Sequence, residues 1–311
     1  MVSWNIVMLE DGVGGPNLTW DNDMRANLQR LLGVPISRGI FLPQNEDADI
    51  HLITSCNYTK YLPEIAFAKK MKAKGKKVIA SLASDGRWLN GSNLMGPDGT
   101  NYTGLLAEVD GILSEVHPSW KVYGRYQSKV IPLAQPLESQ MIKDNPTRDI
   151  DVLTAGSNGT GGLAYATEVI YMLLEKNPNL NCVQIVHPHY LDILRKNHPR
   201  LRFETASFGP FFDYLGRAKV IVNMELKARG GRIPMEGFYT STPVICSSGA
   251  FFSQLYPDLS FNKIDLEYIV ELVEYAIQKR VEITNRAKEL AKPYFISEWK
   301  KTIYKTLGLQ E

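Results

Sequence analysis

The sequence is poor in the features that would assign a small protein quickly. Only three cysteines occur, Cys56, Cys182 and Cys246, far apart and in strand-like or strand-end contexts, which excludes a disulfide framework and a cysteine-based zinc site and predicts buried free thiols. No apolar run approaches the roughly 18 to 20 residues that a membrane-spanning helix needs. Residues 1–9 hold a short apolar stretch without a charged leader or a small-residue cleavage pattern, so they read as a first strand rather than a signal peptide. A cytoplasmic location is the expectation, and the five Asn-x-Ser/Thr triplets, Asn17 and Asn101 among them, then carry no glycan. An excess of one charge is missing too: the net charge of +2 argues against general affinity for nucleic acid or anionic membranes, so a basic site has to be local. His187 and His189, in HPHY, have no clustered acidic partners and read as loop histidines, and no metal is expected.

What is present points to an α/β protein. The chain has 311 residues, more than one hydrophobic core usually supports, and at roughly 100 to 200 residues per domain two domains are expected. Short Val- and Ile-rich runs alternate with helical periodicity, the pattern of βαβ units on a parallel sheet. In the first half the pattern predicts strands at 5–9, 49–54, 77–82 and 129–133, and helices at 18–32, 63–74 and 105–116. Gly75 sits where a helix C-cap belongs. Residues 84–103 lack periodicity and read as a long loop at the carboxyl edge of the sheet, where ordered loops are often functional. The polar stretch around 137–151 is the linker. The second half repeats the pattern, with strands at 151–155, 182–186, 201–204, 220–224 and 243–246. Its helices are predicted at 163–176, 190–197, 211–217, 264–279, 281–291 and 297–307, with a further one beginning at Pro234.

Two glycine-rich turns follow strands, one holding Gly12, Gly14, Gly15 and Pro16, the other Gly156, Ser157, Asn158 and on to Gly162. Such a turn entering a helix presents backbone N–H groups at a partly positive helix end, and open α/β sheets bind ligands at the carboxyl ends of their strands. Strand-to-helix turns also use glycine for steric reasons alone. Residues 227–232, KARGGR, place Arg229, Gly230, Gly231 and Arg232 before a helix, a grouping able to hold a diphosphate or simply a solvated basic loop.

The chain from Arg148 onward resembles the carboxyl-terminal domain of retaining GT-B glycosyltransferases, in particular family four. The closest stretch is IPMEGFYTSTPVICSS at 233–248. The opening strand with its glycine-rich turn, KVIPLAQP at 129–136 and the last helix, FISEWKKTIYKTL, are similar to the corresponding family segments. The resemblance implies two Rossmann-like doubly wound domains facing across a cleft, 1–140 on the acceptor side and 148–295 on the nucleotide-sugar side, with 296–311 as a helix crossing back to the first. It implies a glycosyltransferase with a UDP- or GDP-linked donor as substrate, no cofactor, and retention of configuration.

Carried over residue by residue, the resemblance makes Glu236, at the start of its helix, the carboxylate that binds the nucleotide ribose. The family's second carboxylate, eight residues upstream, is Ala228 here; Glu225 lies three residues away and is the substitute candidate for contacting the sugar. No cation occurs in 157–165, where the family usually has an arginine and a lysine, so Arg229 and Arg232 are the candidates for neutralising the leaving diphosphate. Asp85, with Arg87 and Trp88, falls roughly where the family often carries a histidine and is the candidate acceptor-side base. The acceptor is open: a glycan, a lipid, a protein or modified nucleic acid. Lys69, Lys70, Lys72, Lys74, Lys76 and Lys77, with Arg25, Arg30 and Arg38, make the first domain locally basic and suit an anionic acceptor or peripheral membrane contact. The missing glutamate leaves two alternatives, a binding protein that lost turnover and a nucleotide-sugar epimerase.

Overall fold

The computed structural model describes residues 2–8, 31–33, 36–38, 45–55, 62–82, 102–114, 117, 119, 121, 123–134, 136–155, 162–205, 208–224 and 232–310. The chain divides into two compact units, Met1–Leu137 with Pro293–Glu311, and Glu138–Lys292.

Unit one is built on six parallel strands, β1 (Trp4–Met8), β2 (Ile36–Arg38), β3 (Ile50–Ser55), β4 (Lys77–Leu82), β5 (Gly111–Ser114) and β6 (Val130–Ile131), in the order β2-β1-β3-β4-β5-β6. Side chains alternate across the sheet. Val7, Ile53, Val78 and Ala80 pack with Phe67, Ala68 and Met71 of helix α1 (Leu62–Ala73) and with Leu105 and Leu106 of α2 (Tyr102–Glu108). Glu64, Phe67, Ala68 and Met71 recur at helical spacing, so α1 buries one face and leaves its lysines in water. Gly75 adopts φ of +73°, as its C-cap place requires.

Three differences from the sequence reading stand out here. Residues 105–116 do not form one helix: α2 ends at Glu108 and 111–114 form β5. Lys129 Nζ donates to the carbonyls of Leu106, Ala107 and Val109, each at 2.8 Å, and so caps the helix, while the Asp110 carboxylate accepts from Val78 N at 2.8 Å and stitches the chain to β4. The apolar run 111–114 has no period of its own, so strand pairing with β4 and β6 decides its state. Strands β2 and, in unit two, β12 (Ser260–Phe261) carry no sequence signal, because pieces of three and two residues exist only through their neighbours.

Unit two has strands β7 (Ile150–Thr154), β8 (Cys182–Ile185), β9 (Arg202–Glu204), β10 (Ala218–Val222), β11 (Val244–Ser247) and β12, all parallel, in the order β12-β11-β10-β7-β8-β9. Its helices are α3 (Gly162–Lys176), α4 (Pro188–Asn197), α5 (Phe208–Arg217), α6 (Arg232–Tyr239), α7 (Leu266–Gln278) and α8 (Arg280–Leu290). Every residue of β8 and β11 is buried, the mark of a sheet covered on both faces. Helix α3 packs on β8 and α7, and α5 packs on β7, β10 and α6. Cys182 and Cys246 are buried free thiols, each pushed up to about 12 mainly by desolvation, so they act as core and not as nucleophiles.

The chain ends in unit one with α9 (Ile296–Leu307), where Trp299 stacks on Trp4 at 5.8 Å between ring centroids and Tyr304 Oη accepts from Trp4 Nε1 at 2.9 Å. No helix among the described residues is long and apolar enough to cross a membrane.

Candidate functional site

The strand order of unit two turns round between β7 and β10. From β7 the chain builds outward through β8 to β9, then returns to β10 and builds the other way through β11 to β12. At such a switch point the connections leaving two adjacent strands diverge, and the crevice outside their carboxyl ends is where open α/β sheets bind ligands. Here the two strands end in register, with Thr154 opposite Val222, and Ala155 N donates to Val222 O at 3.2 Å. The chain leaves β7 into the glycine-rich segment containing Gly156, Ser157 and Asn158, and leaves β10 into the segment with Glu225, Arg229, Gly230 and Gly231. Those seven residues lie outside the described residues, as do Gly14, Gly15 and Asp85 of unit one.

The described part of this edge is polar and buried. Thr154 ends β7 with a fully buried hydroxyl that has no hydrogen-bond partner among the described residues. Asn223, directly after β10, is 1% exposed, and its backbone N–H donates to Ile245 O at 2.9 Å. Ser247 closes β11, and its Oγ accepts from Gly249 N at 3.2 Å. Buried polar atoms cost free energy unless satisfied, so their gathering at one edge needs a reason.

Two helices begin beside this edge, and the sequence fixes both firmly. In α3 the Leu163 carbonyl accepts from Thr167 Oγ1 at 2.9 Å and from Gln184 Nε2 at 3.3 Å, which ties the first turn to β8 and holds the partly positive helix start next to the end of β7. Helix α6 comes so close to β11 that a Cβ on Gly237 would stand 2.2 Å from Val244 Cγ2 and 2.9 Å from Thr242 O. Only glycine fits, and this sets the rotation of the helix and with it the place of Glu236. The far end of α6 is held by Arg148, whose side chain is 7% exposed and donates to Thr240 O, Ser241 O, Ala218 O and Thr242 Oγ1 at 2.6–3.1 Å, besides pairing with Asp144 at 3.0 Å. Ser241 takes φ of +52° to make this turn.

Glu236 does not stand at the amino end of its helix. Helix α6 starts at Arg232, because Pro234 falls among the first residues, whose N–H groups have no intrahelical partner to lose, and Glu236 is therefore in the second turn, 1% exposed. Its burial sets it apart from an ordinary solvated helix-start acid. His187 plays a structural part as the N-cap of α4, its Nδ1 accepting from His189 N at 3.2 Å. Among the described residues no three His, Cys, Asp or Glu side chains gather as a metal site would require. Thr154, Asn223 and Arg148 do not stand out in the sequence reading. The first two are polar residues ending apolar runs, a signal that can be read; nothing in the sequence marks Arg148.

No family model matches the chain, and no curated protein matches it. Solved structures do. The pneumococcal O-GlcNAc transferase GtfA, in complex with UDP and GlcNAc, aligns with a TM-score of 0.56 at 11% identity over 83% of this chain and 57% of its own. The fold is GT-B. S. aureus MnaA with UDP aligns with a TM-score of 0.52 at 11% identity over 99% of this chain and 98% of its own. A Listeria monocytogenes structure described as a UDP-N-acetylglucosamine 2-epimerase gives 0.52 at 11% identity over 90% of this chain and 83% of its own. The chain therefore spans little more than half of the transferase and most of the other two.

Proposed function

We propose that this GT-B protein is a glycosyltransferase that moves a sugar from a UDP- or GDP-linked donor to an acceptor, a glycan, lipid, protein or modified nucleic acid. The observation that carries this reading is the switch point of unit two, where the glycine-rich segment and the KARGGR segment leave adjacent strand ends beside buried polar groups. In this proposal the N–H groups of Gly156, Ser157 and Asn158 and the start of α3 bind the diphosphate. Arg229 and Arg232, with Gly230 and Gly231 allowing close approach, neutralise it as it departs, so no metal and no cofactor is required. Glu236 accepts from the ribose hydroxyls, Glu225 takes the place of the family carboxylate missing at Ala228, and Gly14, Gly15 and Asp85 serve the acceptor side, Asp85 as base. Retention and a place in family four rest on the resemblance of residues 233–248, and a cytoplasmic location on the sequence reading alone.

The span of the alignments favours one second reading, a nucleotide-sugar epimerase, since the alignment with the epimerase-described structure takes in 90% of this chain and 83% of that one. Incubation with a panel of UDP- and GDP-sugars separates the two. Slow release of free nucleoside diphosphate supports transfer, and an isomerised sugar supports epimerisation. Failure to bind any of them removes both.

A further inference from the structure

Helix α4 is unlike the other helices of unit two. None of its ten residues is buried, and it lies at the β9 edge of the sheet. Tyr190 is 39% and Ile193 58% exposed, three residues apart and so neighbours on the helix surface, with Lys196 one step further. The same edge carries Arg195, Arg200 and Arg202 against only Asp192 and Glu204. Glu204 is bound to Arg202 at 3.1 Å, and Arg195 donates to Phe203 O at 2.9 Å, but Lys196 and Arg200 form no ion pair or hydrogen bond among the described residues.

The lysine-rich helix α1 makes a useful contrast. Lys70 and Lys74 both pair with Glu46, whose carboxyl they hold down to about 2, and Lys76 lies 3.7 Å from Asp49. Among the described residues of α1 no large apolar side chain is exposed. Two of the lysines there share one carboxylate within the fold and no large exposed apolar side chain accompanies them; at α4 Lys196 and Arg200 have no partner among the described residues and stand beside an aromatic and a branched aliphatic side chain.

We propose that the α4–β9 edge of unit two docks on an anionic lipid bilayer. Cations attract the negative leaflet, and Tyr190 and Ile193 enter the headgroup boundary, where an aromatic ring with a polar tip is stable. A second copy of this chain is a poor occupant, because a two-fold contact would set Lys196 and Arg200 against their like. Strand addition is disfavoured because β9 has three residues, two of them charged. Docking of this kind does not depend on sugar transfer.

The test is sedimentation of the full chain with vesicles of phosphatidylcholine alone and of phosphatidylcholine with phosphatidylglycerol. Binding to the anionic vesicles only is expected. Each cation near such a surface is worth on the order of five-fold in partitioning, so K196A/R200A should lower it about 25-fold, while K69A/K72A leaves it unchanged. Tyr190→Trp should shift its emission to the blue on anionic vesicles, an independent reading of insertion. Because these side chains are exposed, thermal melting should stay as in the parent. The proposal is overturned if the parent shows no preference for anionic vesicles. It also fails if K69A/K72A abolishes binding while K196A/R200A does not, or if the chain binds duplex DNA or polyglutamate and ignores the vesicles.

Discussion

The two units differ in how the polar groups buried along their strands are partnered. In unit one Asn5 and His51 are register partners near the amino ends of β1 and β3; Asn5 Nδ2 lies 3.3 Å from His51 Nδ1, and the His51 ring meets Phe67 edge-on at 5.4 Å. Where unit one buries a hydroxyl at a carboxyl end, at Ser114, Tyr123 Oη donates to it at 2.5 Å. In unit two Thr154, Asn223 and Ser247 lie at the carboxyl ends around the switch point, and the Thr154 hydroxyl has no partner among the described residues. Each unit thus leaves one buried strand atom without a partner among the described residues, His51 Nε2 near an amino end and Thr154 Oγ1 at the switch point, and only the second lies at a carboxyl edge where open α/β sheets bind ligands.

The largest effect that would sharpen this contrast is expected at the close approach of α6. Gly237→Ala drives a Cβ into Val244 and the Thr242 carbonyl and should cost about 3 kcal/mol in denaturant unfolding. Its counterpart in unit one, Gly111→Ala, meets the tip of Ile131 at 2.6 Å, a side chain end that can turn away, and should cost about 1 kcal/mol.

Next comes acid. Burial above all lowers His51 from 6.5 to about 4, so the folded state resists a proton that the unfolded chain accepts. Stability is complete above pH 6.5 and falls as the pH drops toward 4. The loss should be on the order of 2–3 kcal/mol, seen as falling melting temperature and flattened in His51→Leu. Arg148→Met strips donors from three buried carbonyls and should cost about 2 kcal/mol by denaturant titration.

The smallest pair is the most pointed, because its signs are opposite. Ser114→Ala removes a satisfied partner and should lose about 1 kcal/mol, whereas Thr154→Val removes an unsatisfied one and should gain about 1 kcal/mol while weakening nucleotide affinity. Loss of stability in Thr154→Val would erase the distinction between the units.

The regular part of the fold is legible in the sequence. Strand β4 is read at its observed bounds, and β3, β7, β8 and α3 within a residue or two, because their Val and Ile runs sit between clear turn signals. The misses share a cause. Residues of β5 read as helix, and β2 and β12 leave no mark, since runs of two to four residues become strands through partners distant in sequence. For the site, the glycine-rich and arginine-glycine segments can be read as motifs, but the adjacency of the strands they leave is a property of strand order. The depth of Glu236 escapes the sequence because Pro234 reads as the helix start when it lies inside the first turn.

The central claim is that the switch point of unit two receives a nucleoside diphosphate through its arginine-glycine segment. Calorimetric titration of UDP and GDP into the parent chain and into R229A/R232A tests it most directly. Saturable binding of one nucleotide to the parent, lost in the double variant, is the predicted result. Equal binding to both chains, or none to the parent, would contradict it.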